Sequence, residues 1–106
     1  MDDTFLGIYR ILKVLRDSLD YEYFDESRIN PERIGITKPK WCRIMKMLVD
    51  DGYIKGVNIS QTLDSSIPDV TIGNVSITIK GLEYLQDNSI MKKVANILKG
   101  LADVVS

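Results

Sequence analysis

Residues 37 to 46 hold Lys38, Lys40, Arg43 and Lys46 and no acid at all. Cations gathered without a neutralising carboxylate suit phosphate oxygens, and an arginine can also donate two parallel bonds to the edge of a guanine. The chain offers few other reactive groups. Cys42 is its only cysteine and it has no histidine. That excludes an intramolecular disulfide, a Cys/His zinc site within one chain, and cysteine–histidine or serine–histidine dyads. Asp2-Asp3 and Asp50-Asp51 are sequence neighbours, so on a helix they diverge instead of converging on a metal. No glycine-rich phosphate loop is present. The residues predict no enzyme, no metal and no cofactor, and Cys42 reads as a small packing residue.

Net charge sharpens the basic run. The chain of 106 residues is long enough for one small domain, residues 1–106, and its formal charge is −1. Residues 1–36 carry five basic and eight acidic side chains, residues 47–79 one and four, and residues 80–106 four and three. The run at 37–46 is therefore the single-sign patch in an otherwise balanced chain. With 44% hydrophobic and 27% charged residues the composition is that of a soluble globular protein. No apolar run approaches the ~20 residues needed to span a bilayer. The acidic start Met1-Asp2-Asp3-Thr4 lacks the basic region of a signal peptide, so the expected compartment is the cytoplasm, with no membrane contact.

Several elements must position that run. Phe5, Ile8, Leu12, Leu15 and Leu19 recur at helical spacing and predict an amphipathic first helix over 5–19, with Asp3 or Thr4 as its cap. Tyr21 to Phe24 reads as a short first strand. Asn30-Pro31 followed by Gly35 is a start and stop signal for one helical turn. Thr37 caps the third helix, which runs to about Asp51, with Pro39 in its first turn and Trp41, Ile44, Met45, Leu48 and Val49 on its apolar face.

Beyond Gly52 the chain reads as a hairpin and two closing helices. Tyr53 to Ile59 is extended, and Ser60 to Asp69 is a polar loop. Val75, Ile77 and Ile79 alternate with polar residues as a second strand, with Gly73 marking a bulge. A helix starts at Lys80, and Asp87-Asn88-Ser89 interrupts or bends it. This order predicts an α+β winged helix-turn-helix: a three-helix core, a two-stranded wing hairpin and extra C-terminal helices. The frame commonly sets one helix in a DNA major groove, and it also serves for protein docking.

Residues 88–106 predict a C-terminal amphipathic helix. Met91, Val94, Leu98, Leu101 and Val105 are spaced 3-4-3-4. That stripe suits packing back on the first helix of the same chain, or dimerisation with a second copy, or both.

Specific segments carry a family resemblance. Ile8-Tyr9-Arg10-Ile11-Leu12-Lys13, Trp41, and Tyr84-Leu85-Gln86-Asp87-Asn88-Ser89-Ile90-Met91-Lys92-Lys93 resemble the YjcQ-like family, small proteins of Gram-positive bacteria and their prophages. The resemblance spans nearly the whole chain. It implies a winged-helix domain of bacterial or prophage origin and supplies no catalytic residues. Gly52-Tyr53-Ile54 and Ile77 to Leu85 are similar to the closing strand and helix of many bacterial winged-helix proteins. A looser similarity to MarR- or PadR-type regulators implies DNA binding by analogy alone.

Two functions stay open on these residues. In the first, Thr37, Lys38, Lys40, Arg43 and Lys46 contact double-stranded DNA, Lys40 and Arg43 at base edges, in a prophage-associated transcriptional regulator. In the second, the frame is a non-enzymatic protein–protein interaction module and the lysines only solvate a helix face. Residues 57–79 hold no basic side chain and include Asp64 and Asp69, which weighs against a wing docked on phosphates.

Overall fold

The computed structural model describes the backbone of residues 3–105 and the side chains of residues 3–100. Among the described residues, five α-helices and one antiparallel hairpin form a winged helix-like α+β fold. The first helix, α1, spans Asp3–Asp17 and turns Tyr9, Ile11, Leu12 and Leu15 inward. Residues 1 and 2 lie outside the described residues, and the helix leads into a 3-10 turn at Ser18–Asp20, where the Ser18 hydroxyl donates to the Leu15 carbonyl at 2.6 Å.

Tyr21 to Phe24 is not the strand its aromatic content suggests. It runs as bends and irregular chain into a second 3-10 turn at Glu26–Ile29. Asp25 accepts from the Ser27 backbone N–H at 3.0 Å and from its hydroxyl at 2.7 Å. Such local side-chain bonds compete with a sheet ladder and hold the segment as a turn.

The short helix α2 (Pro31–Ile34) and the longer α3 (Lys38–Asp50) follow as the capping residues predict. Asn30 Oδ1 accepts from Arg33 N at 2.8 Å, and Thr37 Oγ1 accepts from Lys40 N at 3.4 Å. Between them Gly35 adopts φ 88°, a left-handed stop that lets its N–H reach the Pro31 carbonyl at 2.8 Å. Trp41, Cys42, Ile44, Met45 and Leu48 form the buried face of α3.

The hairpin pairs β1 (Ile54–Ser60) with β2 (Asp69–Ile77), from Ile54 opposite Ile77 to Ser60 opposite Asp69. The ladder breaks between Lys55 and Val57, whose partners are Ser76 and Ile72. Gly56 lies in that break at φ 83°, and a Cβ there would come within 2.0 Å of the Asn74 carbonyl oxygen. The expected bulge at Gly73 thus belongs to a longer irregularity whose conformation Gly56 alone can supply.

The second strand begins earlier and ends earlier than its alternation suggests. Asp69 to Asn74 are already paired or part of the bulge, and Ile79 is exposed in the next helix, α4 (Ile79–Asp87). Thr78 causes the switch. Its Oγ1 accepts from Gly81 N at 3.0 Å and donates to the Gly52 carbonyl at 2.5 Å, so it caps a helix where a strand residue would fit. Asn88 separates α4 from α5 (Ser89–Val105), its Oδ1 accepting from Ile90 N at 2.9 Å and Met91 N at 3.1 Å.

One core joins these elements. Ile11, Leu12, Leu15, Ile29, Ile34, Ile44, Met45, Met91 and Val94 are its fully buried side chains. Helix α5 packs on α1 and α4. Burying each such side chain contributes roughly 1.5–3 kcal/mol relative to exposure.

Candidate nucleic-acid interface

Helix α3 carries the basic run on its outer side because its apolar residues claim the inner one. With Trp41, Ile44, Met45 and Leu48 buried, the 3.6-residue period turns Lys40, Arg43, Lys46 and Met47 outward. Thr37 and Lys38 are exposed at the helix start. Arg43 is thus exposed, and Lys40 and Lys46 half-buried, along the outer side of α3, whereas Lys38 is exposed at the helix start beside the hairpin loop.

Their partners differ. Lys40 is paired with Asp3 from α1. Lys46 pairs with Asp50 one turn on, at 2.5 Å. Arg43 Nη2 lies 3.4 Å from the Ser66 carbonyl oxygen of the hairpin loop, a long contact. Among the described residues, Lys38 and Arg43 have no carboxylate within ion-pair distance. Both ion pairs are exposed and cost little to exchange for another anion. Thr37 spends its hydroxyl as an acceptor on the Lys40 N–H.

The hairpin loop adds no cation to this side. It bends back toward the start of α3, and a cleft of about 560 Å³ lies between Lys38, Pro39, Trp41 and Cys42 on one wall and Ser65 with Ile67 to Thr71 on the other. Asp69 is in that wall. Cys42 is buried there, and burial pushes its thiol pKa above the ordinary 9.0, opposed by Lys38 and aided by Asp69. A neutral, buried thiol is inert packing, not a nucleophile.

The C-terminal stripe divides. Met91 and Val94 are fully buried inside the protomer, so these two expected dimer contacts are core side chains, consumed by packing on α1 and α4. Leu98 is half-buried, and Ile90 and Ile97 are exposed. The side chains of Leu101 and Val105 lie outside the described residues.

A second basic region escapes sequence reasoning. Arg10 and Lys13 of α1, Arg28, Arg33 of α2 and Lys99 of α5 line a cleft of about 590 Å³. They come from four separated segments, and residues 1–36 hold more acids than bases, so no window of sequence betrays them. Among the described residues, no group of histidine, cysteine, aspartate or glutamate is arranged to hold a metal. No helix among them is long and apolar enough to cross a membrane.

No curated protein and no solved structure matches the chain. Residues 9–104 match the family described as YjcQ protein. That match takes in α2, α3, the hairpin and α4 whole, α1 from Tyr9 onward and nearly all of α5, so the chain belongs to the YjcQ family.

Proposed function

We propose that this chain is a DNA-binding winged-helix protein of the cytoplasm, a prophage-associated transcriptional regulator that sets α3 in the major groove, with no enzymatic activity. One observation supports the reading: Arg43 is exposed, with Lys40 and Lys46 half-exposed, on the outer side of the helix that a winged helix-turn-helix uses for recognition. Arg43 and Lys40 are the base-edge contacts in this reading, and Thr37, Lys38 and Lys46 meet phosphates. Because the hairpin is acidic, it stays off the backbone. Few cations per protomer then favour a dimer, built on the outer side of α5, where Ile90 and Ile97 are exposed.

The test is binding to a fluorescent fragment from upstream of the protein's own gene, titrated from ~50 to ~200 mM salt. The reading requires competitor-resistant binding that weakens steeply with salt and is lost in the Lys40→Ala, Arg43→Ala double variant. Undiminished affinity in that variant would remove α3 as the site.

A specific observation favours a second reading. Lys40 and Lys46 are already paired and the hairpin carries Asp64 and Asp69, as suits a protein–protein interaction module. Absence of DNA binding at the lowest salt, with a stoichiometric protein partner, would support it.

A further inference from the structure

We propose that the cleft between α1, α2 and α5 binds a small amphiphilic anion, a carboxylate or phosphate monoester carried on an apolar alkyl or aryl body. The cleft is about 590 Å³, within the range of small-molecule sites, about 300–1,000 Å³. Its chemistry has two parts. Arg10, Lys13, Arg28, Arg33 and Lys99 supply five cations, and the one carboxylate among the lining side chains is Asp17. That carboxylate is engaged by Lys13 at 3.4 Å and by Arg16 at 3.3 Å. Among the described residues, Arg28, Arg33 and Lys99 have no carboxylate at ion-pair distance. Asp25 feels Arg33 and Arg28, but its carboxylate is held chiefly by Ser27.

Two of the guanidinium groups are held in position. Arg10 Nη1 donates to the Ile34 carbonyl at 3.0 Å, which leaves its other N–H groups for a ligand. Arg28 lies 5.9 Å from the centroid of the Tyr21 ring. Between the cations the floor is apolar: Ile34 and Tyr9 are buried, and Val14, Ala95 and Leu98 are half-buried. An inorganic anion would use the cations and leave that floor wet. A duplex phosphate backbone would do the same, because it carries no apolar body to fill a concave site. An uncharged apolar molecule would leave the cations unpaired. Only a molecule with both features matches both parts. None of the α3 cations lines the cleft, so this site stands apart from the DNA reading.

The full chain would be titrated with anilinonaphthalene sulfonate, followed by fluorescence, and the probe then displaced with decanoate, decanol or inorganic phosphate. Decanoate is expected to displace the probe, with decanol and inorganic phosphate far weaker. The triple variant Arg28→Gln, Arg33→Gln, Lys99→Gln should lose about tenfold or more in probe affinity. Lys55→Gln, on the hairpin away from the cleft, should lose none. Thermal melts of each variant check folding, and Lys99→Glu alone provides the charge test if the triple variant melts early. Equal displacement by decanol would overturn the anion requirement, and full displacement by inorganic phosphate would overturn the apolar one. Unchanged affinity in both charge variants would overturn the site itself.

Discussion

Trp41 donates its indole N–H to the Ile29 carbonyl oxygen at 2.7 Å, in a buried bond that ties α3 to the turn ahead of α2. Both residues are in the core, Ile29 fully buried and Trp41 at 6% exposure. The bond satisfies the only polar atom of the indole and a backbone acceptor that water does not reach. It therefore helps set the angle between the two helices of the turn. Trp41→Phe keeps the apolar bulk and orphans the Ile29 carbonyl. The expected loss is about 1–3 kcal/mol of unfolding free energy, read by urea denaturation followed by circular dichroism. A variant as stable as the parent would show the bond to be dispensable.

Gly35 and Gly56 share a left-handed conformation but not its surroundings. At Gly35 an added Cβ would meet only the end of Arg10, at 3.2 Å, whereas at Gly56 it would run into the Asn74 backbone. Gly35→Ala should cost about 1–2 kcal/mol, the left-handed penalty alone. Gly56→Ala should cost clearly more, because the clashing atom is a backbone carbonyl in the paired strand. Thermal melts of the two variants would test the order. Equal losses would mean that the hairpin shifts freely at its bulge.

Thr78 bridges two elements with one hydroxyl, capping α4 and holding the Gly52 carbonyl at the end of α3. Thr78→Ala removes both bonds and is expected to cost about 1–2 kcal/mol. Thr78→Ser keeps the oxygen and should recover most of that. Hydrogen exchange at the Gly81 amide would report the cap directly, with fast exchange in the alanine variant only.

Stability should fall on the alkaline side. Burial raises the pKa of Cys42 above its ordinary 9.0 and, with Tyr53 and Asp51 contributing, that of Tyr84 above 10.0. Both groups fold in their neutral forms. The sign follows: a pKa raised in the folded state leaves stability intact below the unfolded value and erodes it as pH rises past that value. Urea midpoints should be level from pH 7 to near pH 9.0 and decline above it. Cys42→Ala should move the onset toward 10.0, where Tyr84 takes over. Native Cys42 should also resist alkylation at neutral pH and react at once in urea.

Much of the fold was legible because its signals are local. Asn30, Thr37 and the glycines after them mark helix ends through bonds to neighbours three or four residues away, and those bonds form as the residue types predict. The inner face of α3 follows from the spacing of Trp41, Ile44, Met45 and Leu48 for the same reason. Where a residue type fits two local structures, the reading fails. Thr78 and Ile79 complete an alternating pattern, yet a tertiary bond to Gly52 turns them into a cap and a helix start. Tyr21 to Phe24 has strand composition and no strand beside it to pair with.

The sequence by itself determined the inner faces of α1 and α3 up to their ends, since hydrophobic period and helix caps are properties of neighbours along the chain; Leu19 and Ile79, at the ends of predicted elements, are exposed instead. It also determined that a histidine- or disulfide-based site was out of reach. Only the tertiary structure decided what the outward residues meet. Asp3 reaches Lys40 across 37 residues, Met91 and Val94 are spent on the core, and Arg10, Arg28, Arg33 and Lys99 converge around one cleft. Those relations depend on how helices pack in space, and side chains far apart in the chain carry no periodic signal of their meeting.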